Sequence, residues 1–156
     1  MASFGMGQVP SADEAGTIEP STPWMAAADG NIGLLQSSIA SLGLTYSIAD
    51  ENGYTLLMAA AAYNRGNIME FLLASAAVDV NSQDYDGDTA LHHVECVEAA
   101  KMLVEVGKAN STIRNGSGKT PMEAKVEEFK EIIEDDEDDD ESLALKELVE
   151  YLRTIS

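Results

Sequence analysis

Four groups of residues in this sequence have the types and spacing of reactive or ion-binding chemistry. Gly116-Ser117-Gly118-Lys119-Thr120 resembles the end of a phosphate-binding loop, where glycine N–H groups cradle phosphate and a lysine reaches it. The full pattern needs a glycine five residues before Gly118, and Ile113 stands there. It also needs a preceding buried strand, which the sequence does not provide, so the segment reads as a turn into Thr120-Pro121. Asp84-x-Asp86-x-Asp88, with Glu95 at the twelfth position, imitates a calcium loop, but Thr89 occupies the sixth position, where such a loop needs glycine. An acidic turn is expected instead. His92, His93, Glu95 and Cys96 group four potential metal ligands, and Cys96 with His93 has the types of a nucleophile and its base. Nothing marks a third orienting group or an oxyanion site beside them. The many carboxylates form surface-type runs rather than a pair set apart in an apolar pocket. Neither an enzyme, nor a cofactor, nor a metal site is expected.

The rest of the composition narrows the field further. The chain has 156 residues, enough for one domain. Nine Lys+Arg against 28 Asp+Glu give a formal net charge of −19, while the 45% apolar fraction still allows a core, mostly aliphatic and alanine. Such charge argues against direct binding to nucleic acid or anionic membranes, which need a basic footprint, and favours a basic partner or none. The single cysteine excludes an intramolecular disulfide and a multi-cysteine zinc site. The longest apolar run, Leu56 to Tyr63, is too short to span a membrane, and no basic and apolar leader opens the chain. A cytoplasmic setting is expected, with small size permitting passive entry into the nucleus.

The elements that position these residues come from a repeat. Gly53-Tyr54-Thr55-Leu56-Leu57-Met58 recurs 34 residues later as Gly87-Asp88-Thr89-Ala90-Leu91-His92, and 31 later again as Gly118-Lys119-Thr120-Pro121-Met122-Glu123. Asp50, Asp84 and Asn115 lie three residues before each glycine. A second motif follows each block: Ile68 to Leu72, Ala99 to Leu103 and Leu148 to Leu152. A degenerate first copy reads Thr22-Pro23-Trp24-Met25, then Leu34-Leu35. Each unit predicts a turn needing positive φ, a short helix capped by threonine, a second turn and a longer helix. In the first copy Thr22 is expected to cap its helix with Pro23 in the first turn, and Gly30 and Asn64 to leave theirs left-handed.

This pattern resembles the ankyrin repeat, whose unit reads D-x-x-G-x-T-P-L-H-x-A-A-x-x-G-H, then a V-x-x-L-L helix and a D-V-N exit, here Asp79-Val80-Asn81. The resemblance implies an all-α solenoid of helix-turn-helix units joined by hairpin turns. It covers residues 21–156 in repeats of about 21–49, 50–83, 84–114 and 115–156, after a disordered segment 1–20. His92 matches the T-P-L-H histidine, which implies a structural role bridging adjacent turns and leaves His93 and Cys96 with too few partners for zinc. Two departures stand out. Thr89 to Leu103 spans three residues fewer than Thr55 to Leu72, and the fourth repeat carries about 15 extra residues between its helices. That insert holds Glu134, Asp135, Asp136, Glu137, Asp138, Asp139, Asp140 and Glu141, expected to repel one another as a solvated, mobile arm.

In the ankyrin fold the turn tips and short helices line a concave face that varies with the partner. Carried over position by position, that face comprises Glu51, Asn52, Tyr54, Ala62 and Tyr63, then Tyr85, Asp86 and Asp88, then Gly116, Ser117 and Lys119. Three of the five tyrosines fall in this set, and such rings are favoured interface anchors. Trp24 is expected to cover the exposed end of the first repeat. The resemblance points to non-catalytic protein binding by a monomer: an acidic escort or adaptor holding a basic partner, as some small acidic ankyrin proteins carry ribosomal proteins. The alternative is an ankyrin-type inhibitor that occludes an enzyme or a transcription factor.

Overall fold

A computed structural model describes residues 17–133 and 140–156. Most of the lead-in 1–20 and residues 134–139 of the acidic run therefore lie outside the described residues. Among the described residues four helix pairs follow one another: α1 (Thr22–Asp29) with α2 (Ile32–Leu42), α3 (Leu56–Ala62) with α4 (Gly66–Leu73), α5 (Ala90–His93) with α6 (Val97–Lys101), and α7 (Pro121–Ile133) with α8 (Asp140–Ile155). Among the described residues there is no named strand, only an isolated bridge between Ala49 and Thr55 in the turn before α3. No helix among them is long and apolar enough to cross a membrane.

The short helices stack in one layer and the longer helices in a second, with α3 against α1 and α5, and α7 against α5. Between the layers lies one aliphatic core in which Leu35, Leu56, Met58, Ile68, Leu72, Leu91, Leu103, Leu148 and Leu152 are fully buried. Ala26, Ala27, Ala59, Ala60, Ala61, Ala99 and Ala100 join that core, where their small side chains let neighbouring helices approach. Gly30 at φ 78° and Asn64 at φ 52° leave their helices left-handed, as expected.

The first helix begins differently from expectation. Thr22 does not cap α1: its Oγ1 accepts the Glu19 N–H at 2.8 Å, one turn upstream. The chain enters through a tight turn in which Thr22 N–H donates to the Glu19 carbonyl at 2.9 Å, so the hydroxyl faces backwards. Pro23 stands in the first turn, where its missing donor costs nothing.

Both departures from the repeat length have local solutions. In the third pair α5 has four residues and α6 five, and the chain continues directly into a π-helical stretch, Met102–Val106. Its wider turn closes with Gly107 N–H donating to the Met102 carbonyl at 3.1 Å, while Leu103 stays fully buried. In the fourth pair the extra residues mostly lengthen helices instead of forming a loop. α7 runs 13 residues, α8 runs 16, and Asp140 and Glu141 form the first turn of α8 instead of belonging to a free arm. Carboxylates at that position complement the positive end of the helix dipole.

Candidate protein-binding face

The three tips share one construction. Asp50 Oδ1 accepts the N–H groups of Asn52 (2.8 Å) and Tyr54 (2.9 Å). Asp84 Oδ1 accepts those of Asp86 and Asp88, both at 3.0 Å, and Asn115 Oδ1 those of Ser117 (3.0 Å) and Lys119 (3.1 Å). A short polar acceptor three residues before the glycine thus holds the turn from inside. Main-chain bonds then join tip to tip: Tyr85 N–H donates to the Asn52 carbonyl at 3.0 Å, and Gly116 N–H to the Asp86 carbonyl at 2.7 Å. Gly87, at φ 82°, lies so close to the next tip that a Cβ would come within 2.5 Å of Gly116 N. Both the conformation and the space require glycine there.

Threonines open three of the short helices. Met58 N–H donates to Thr55 Oγ1 at 3.2 Å and Glu123 N–H to Thr120 Oγ1 at 3.3 Å, while Glu123 Oε2 returns to Thr120 N–H at 2.9 Å. That last contact, with Arg114 beside it, holds the Glu123 carboxyl below its usual pKa. In the third repeat the buried His92 accepts the Thr89 N–H on Nδ1 at 3.1 Å, so Nε2 carries the proton and donates to the Lys119 carbonyl of the next repeat at 3.0 Å. This is the bridging role that the resemblance implies.

Trp24 does not cover the end of the array. Its Nε1–H donates to the Tyr54 carbonyl at 2.8 Å, and so the ring ties the first repeat to the second. That carbonyl stands immediately before Thr55 just as Lys119 stands before Thr120, so the indole supplies a bridge that Met25, 60% exposed, does not.

The expected surface residues divide into two groups. Glu51, Asn52, Tyr63, Tyr85 and Asp86 are exposed, with Tyr85 at 81% and Tyr63 at 59%, and among the described residues no hydrogen bond occupies their side chains. Tyr54, Asp88 and Lys119 have work within the fold. Tyr54 is half-buried, its ring edge-on to His93 with centroids 5.1 Å apart, and burial raises its hydroxyl pKa. Asp88 accepts from Asn115 Nδ2 at 2.8 Å, and Lys119 pairs with Glu127. The free group therefore comprises two large rings, two carboxylates and one amide on the tips and the end of α3.

The residues of the other candidate chemistries lie in a turn, at a helix start and in ion pairs. Gly116 to Thr120 is the third tip, leading into α7. Glu95 points to Lys125, 3.4 Å away, instead of to the Asp84 turn. Cys96 stands at the start of α6, and burial pushes its thiol pKa up, opposite to what a nucleophile requires. His93 turns to Asp84, with Nε2 2.8 Å from Oδ2. Asp84, Asp88 and His93 place three ligand atoms within 4.8 Å of one another, a grouping that sequence spacing alone obscures. Turn N–H groups engage Asp84 Oδ1, and Asn115 engages Asp88 Oδ1. Lys125, 3% exposed between Glu95 and Glu128, is a second feature with no sequence signal beyond its place on the inner face of α7.

The chain matches the family model "Ankyrin repeats (3 copies)" over residues 23–115. It is 35% identical over 95 residues to ankyrin repeat-containing protein P1E11.10 of Schizosaccharomyces pombe, covering 61% of this chain and 45% of that one. It is 30% identical over 95 residues to B-cell lymphoma 3 protein of Homo sapiens, covering 57% of this chain and 21% of that one. The chain thus spans less than half the length of the curated relatives it matches. With stacked helix pairs, zipped tips and a bridging histidine in the matched region, the chain belongs to the ankyrin-repeat family, whose repeats bind other proteins.

Proposed function

We propose that this chain is a non-catalytic, acidic escort or adaptor that holds a basic protein segment against its tips. The observation that carries the reading is the exposure of Tyr63 and Tyr85, together with exposed Glu51 and Asp86 on the tips, on a molecule of net charge −19. Rings of this size are interface anchors, and the carboxylates around them suit lysine and arginine side chains, which also stack on aromatic faces. The 134–141 run would raise the encounter rate with such a client more than the final affinity. The same reading has a monomer in the cytoplasm or nucleus, without nucleic acid or membrane as direct ligand.

Affinity capture from a lysate tests it, using the intact chain, a version with 134–141 replaced by Gly/Ser, and the pair Tyr63→Ala and Tyr85→Ala. The expected result is a basic client whose on-rate falls by about tenfold or more between low and high salt. It should also fall with loss of the run and be lost with the tyrosines. A folded, neutral partner with a salt-independent on-rate would overturn the escort and leave the occluding inhibitor.

A further inference from the structure

The outer groove between α7 and α8 carries a charge opposite to the rest of the molecule. Val126, Phe129 and Lys130 line it from α7, at i, i+3 and i+4, and Lys146, Val149, Glu150 and Arg153 from α8, at i, i+3, i+4 and i+7. The cavity measures about 300 Å³, with an apolar floor and three cationic side chains on its rim. Glu150 is the single carboxylate among the lining residues.

The remaining Lys and Arg residues make the pattern informative. Arg65 donates to the Ala28 carbonyl, Lys108 to the Glu105 carbonyl, and Lys101 lies over the Tyr151 ring. Arg114 pairs with Glu123, Lys119 with Glu127, and Lys125 with Glu95 and Glu128. Six of the nine Lys+Arg thus have partners. The other three, Lys130, Lys146 and Arg153, are exposed, hold no hydrogen bond or ion pair among the described residues, and all line this one groove.

We infer that the α7–α8 groove is a second docking site, for an acidic amphipathic helix of a partner protein. A helix laid between two helices presents apolar residues at i, i+3, i+4 and i+7, which suits a floor built at the same spacing. Carboxylates flanking that stripe would meet the three cations. The net charge of −19 disfavours such a ligand over the rest of the surface, so the groove confers orientation as well as contact. The site is separate from the tyrosine-bearing tips and takes a ligand of opposite charge, so it stands or falls independently of the escort reading.

The probe is a fluorescent peptide of roughly 20 residues with a leucine stripe flanked by glutamates, long enough to form a helix in the groove. Its control has the same composition in scrambled order, and binding to the full chain is read by anisotropy. The stripe peptide should bind and the scrambled one should not. Lys130→Gln, Lys146→Gln and Arg153→Gln together should weaken binding by about tenfold. Glu150→Gln should tighten it by about twofold, a gain that loss of the fold could not produce. Equal binding of the two peptides, or affinity unmoved by both variants, would overturn the proposal. So would binding that appears only after 134–139 are replaced by Gly/Ser, which would assign the groove to the chain's own carboxylates. A concentration-dependent dimer of the chain alone, abolished in the triple variant, would assign it to a second copy.

Discussion

His92 joins two repeats through one neutral imidazole, with Nδ1 accepting from Thr89 and Nε2 donating to the Lys119 carbonyl. Burial lowers its pKa, outweighing the Lys119 carbonyl that favours the charged form. The unfolded chain takes up a proton near pH 6.5, while the folded chain resists until a lower pH. The contribution of His92 is therefore present above that value and is lost as the pH falls through the folded pKa. His92→Ala should cost about 1–3 kcal/mol near pH 7 in urea denaturation, since it leaves buried partners unpaired. The difference between wild type and variant should shrink on acidification toward about pH 5; a constant difference would show that the imidazole does not titrate with unfolding.

Helices of four and five residues are too short to persist alone, so the third pair owes its shape to its neighbours. Leu91 and Leu103 are both fully buried, the second within the π-helical turn. Replacing either by Ala should lower stability by about 2–5 kcal/mol, read as a shift in denaturation midpoint. Had the π turn rotated Leu103 away from the core, its variant would be nearly silent.

Elements with strong local punctuation were legible from sequence. Thr55, Thr120, Gly53, Gly87 and the leucine positions mark caps, turns and core because each answers to a local requirement. The partner of Trp24 and the ring contact of Tyr54 with His93 lie across repeat boundaries, where spacing carries no distance information. The fourth pair differs from expectation for another reason: a carboxylate run looks like solvated coil, yet its last two members begin a helix whose core stripe is Leu145, Leu148 and Leu152. Of the candidate binding face, Tyr63 and Tyr85 were visible as surface, whereas the cationic groove needed both helices in place.

Across the whole molecule, repulsion acts on every repeat. A formal charge of −19 on 156 residues opposes compactness, and the ion pairs among the described residues include only a few of its carboxylates. Added monovalent salt screens that repulsion more than it weakens short pairs. The melting temperature should therefore rise between about 0.02 and 0.5 M NaCl. A falling melting temperature would mean that the pairs, not the repulsion, dominate. Because each repeat leans only on its neighbours, the gain should appear first as slower amide exchange in the outer pairs.

The tips are joined through main-chain N–H and carbonyl groups, from Tyr85 to Asn52 and from Gly116 to Asp86. Folding consults the glycines there and leaves the identity of the outward side chains almost unread. Inheritance can therefore drift at Glu51, Tyr85, Asp86 and Ser117 without first losing the scaffold, while Gly87 stays pinned. A randomised library selected only for solubility should accept nearly any residue at those four positions and purge most at Gly87. New specificities would then be reachable by single steps through viable intermediates.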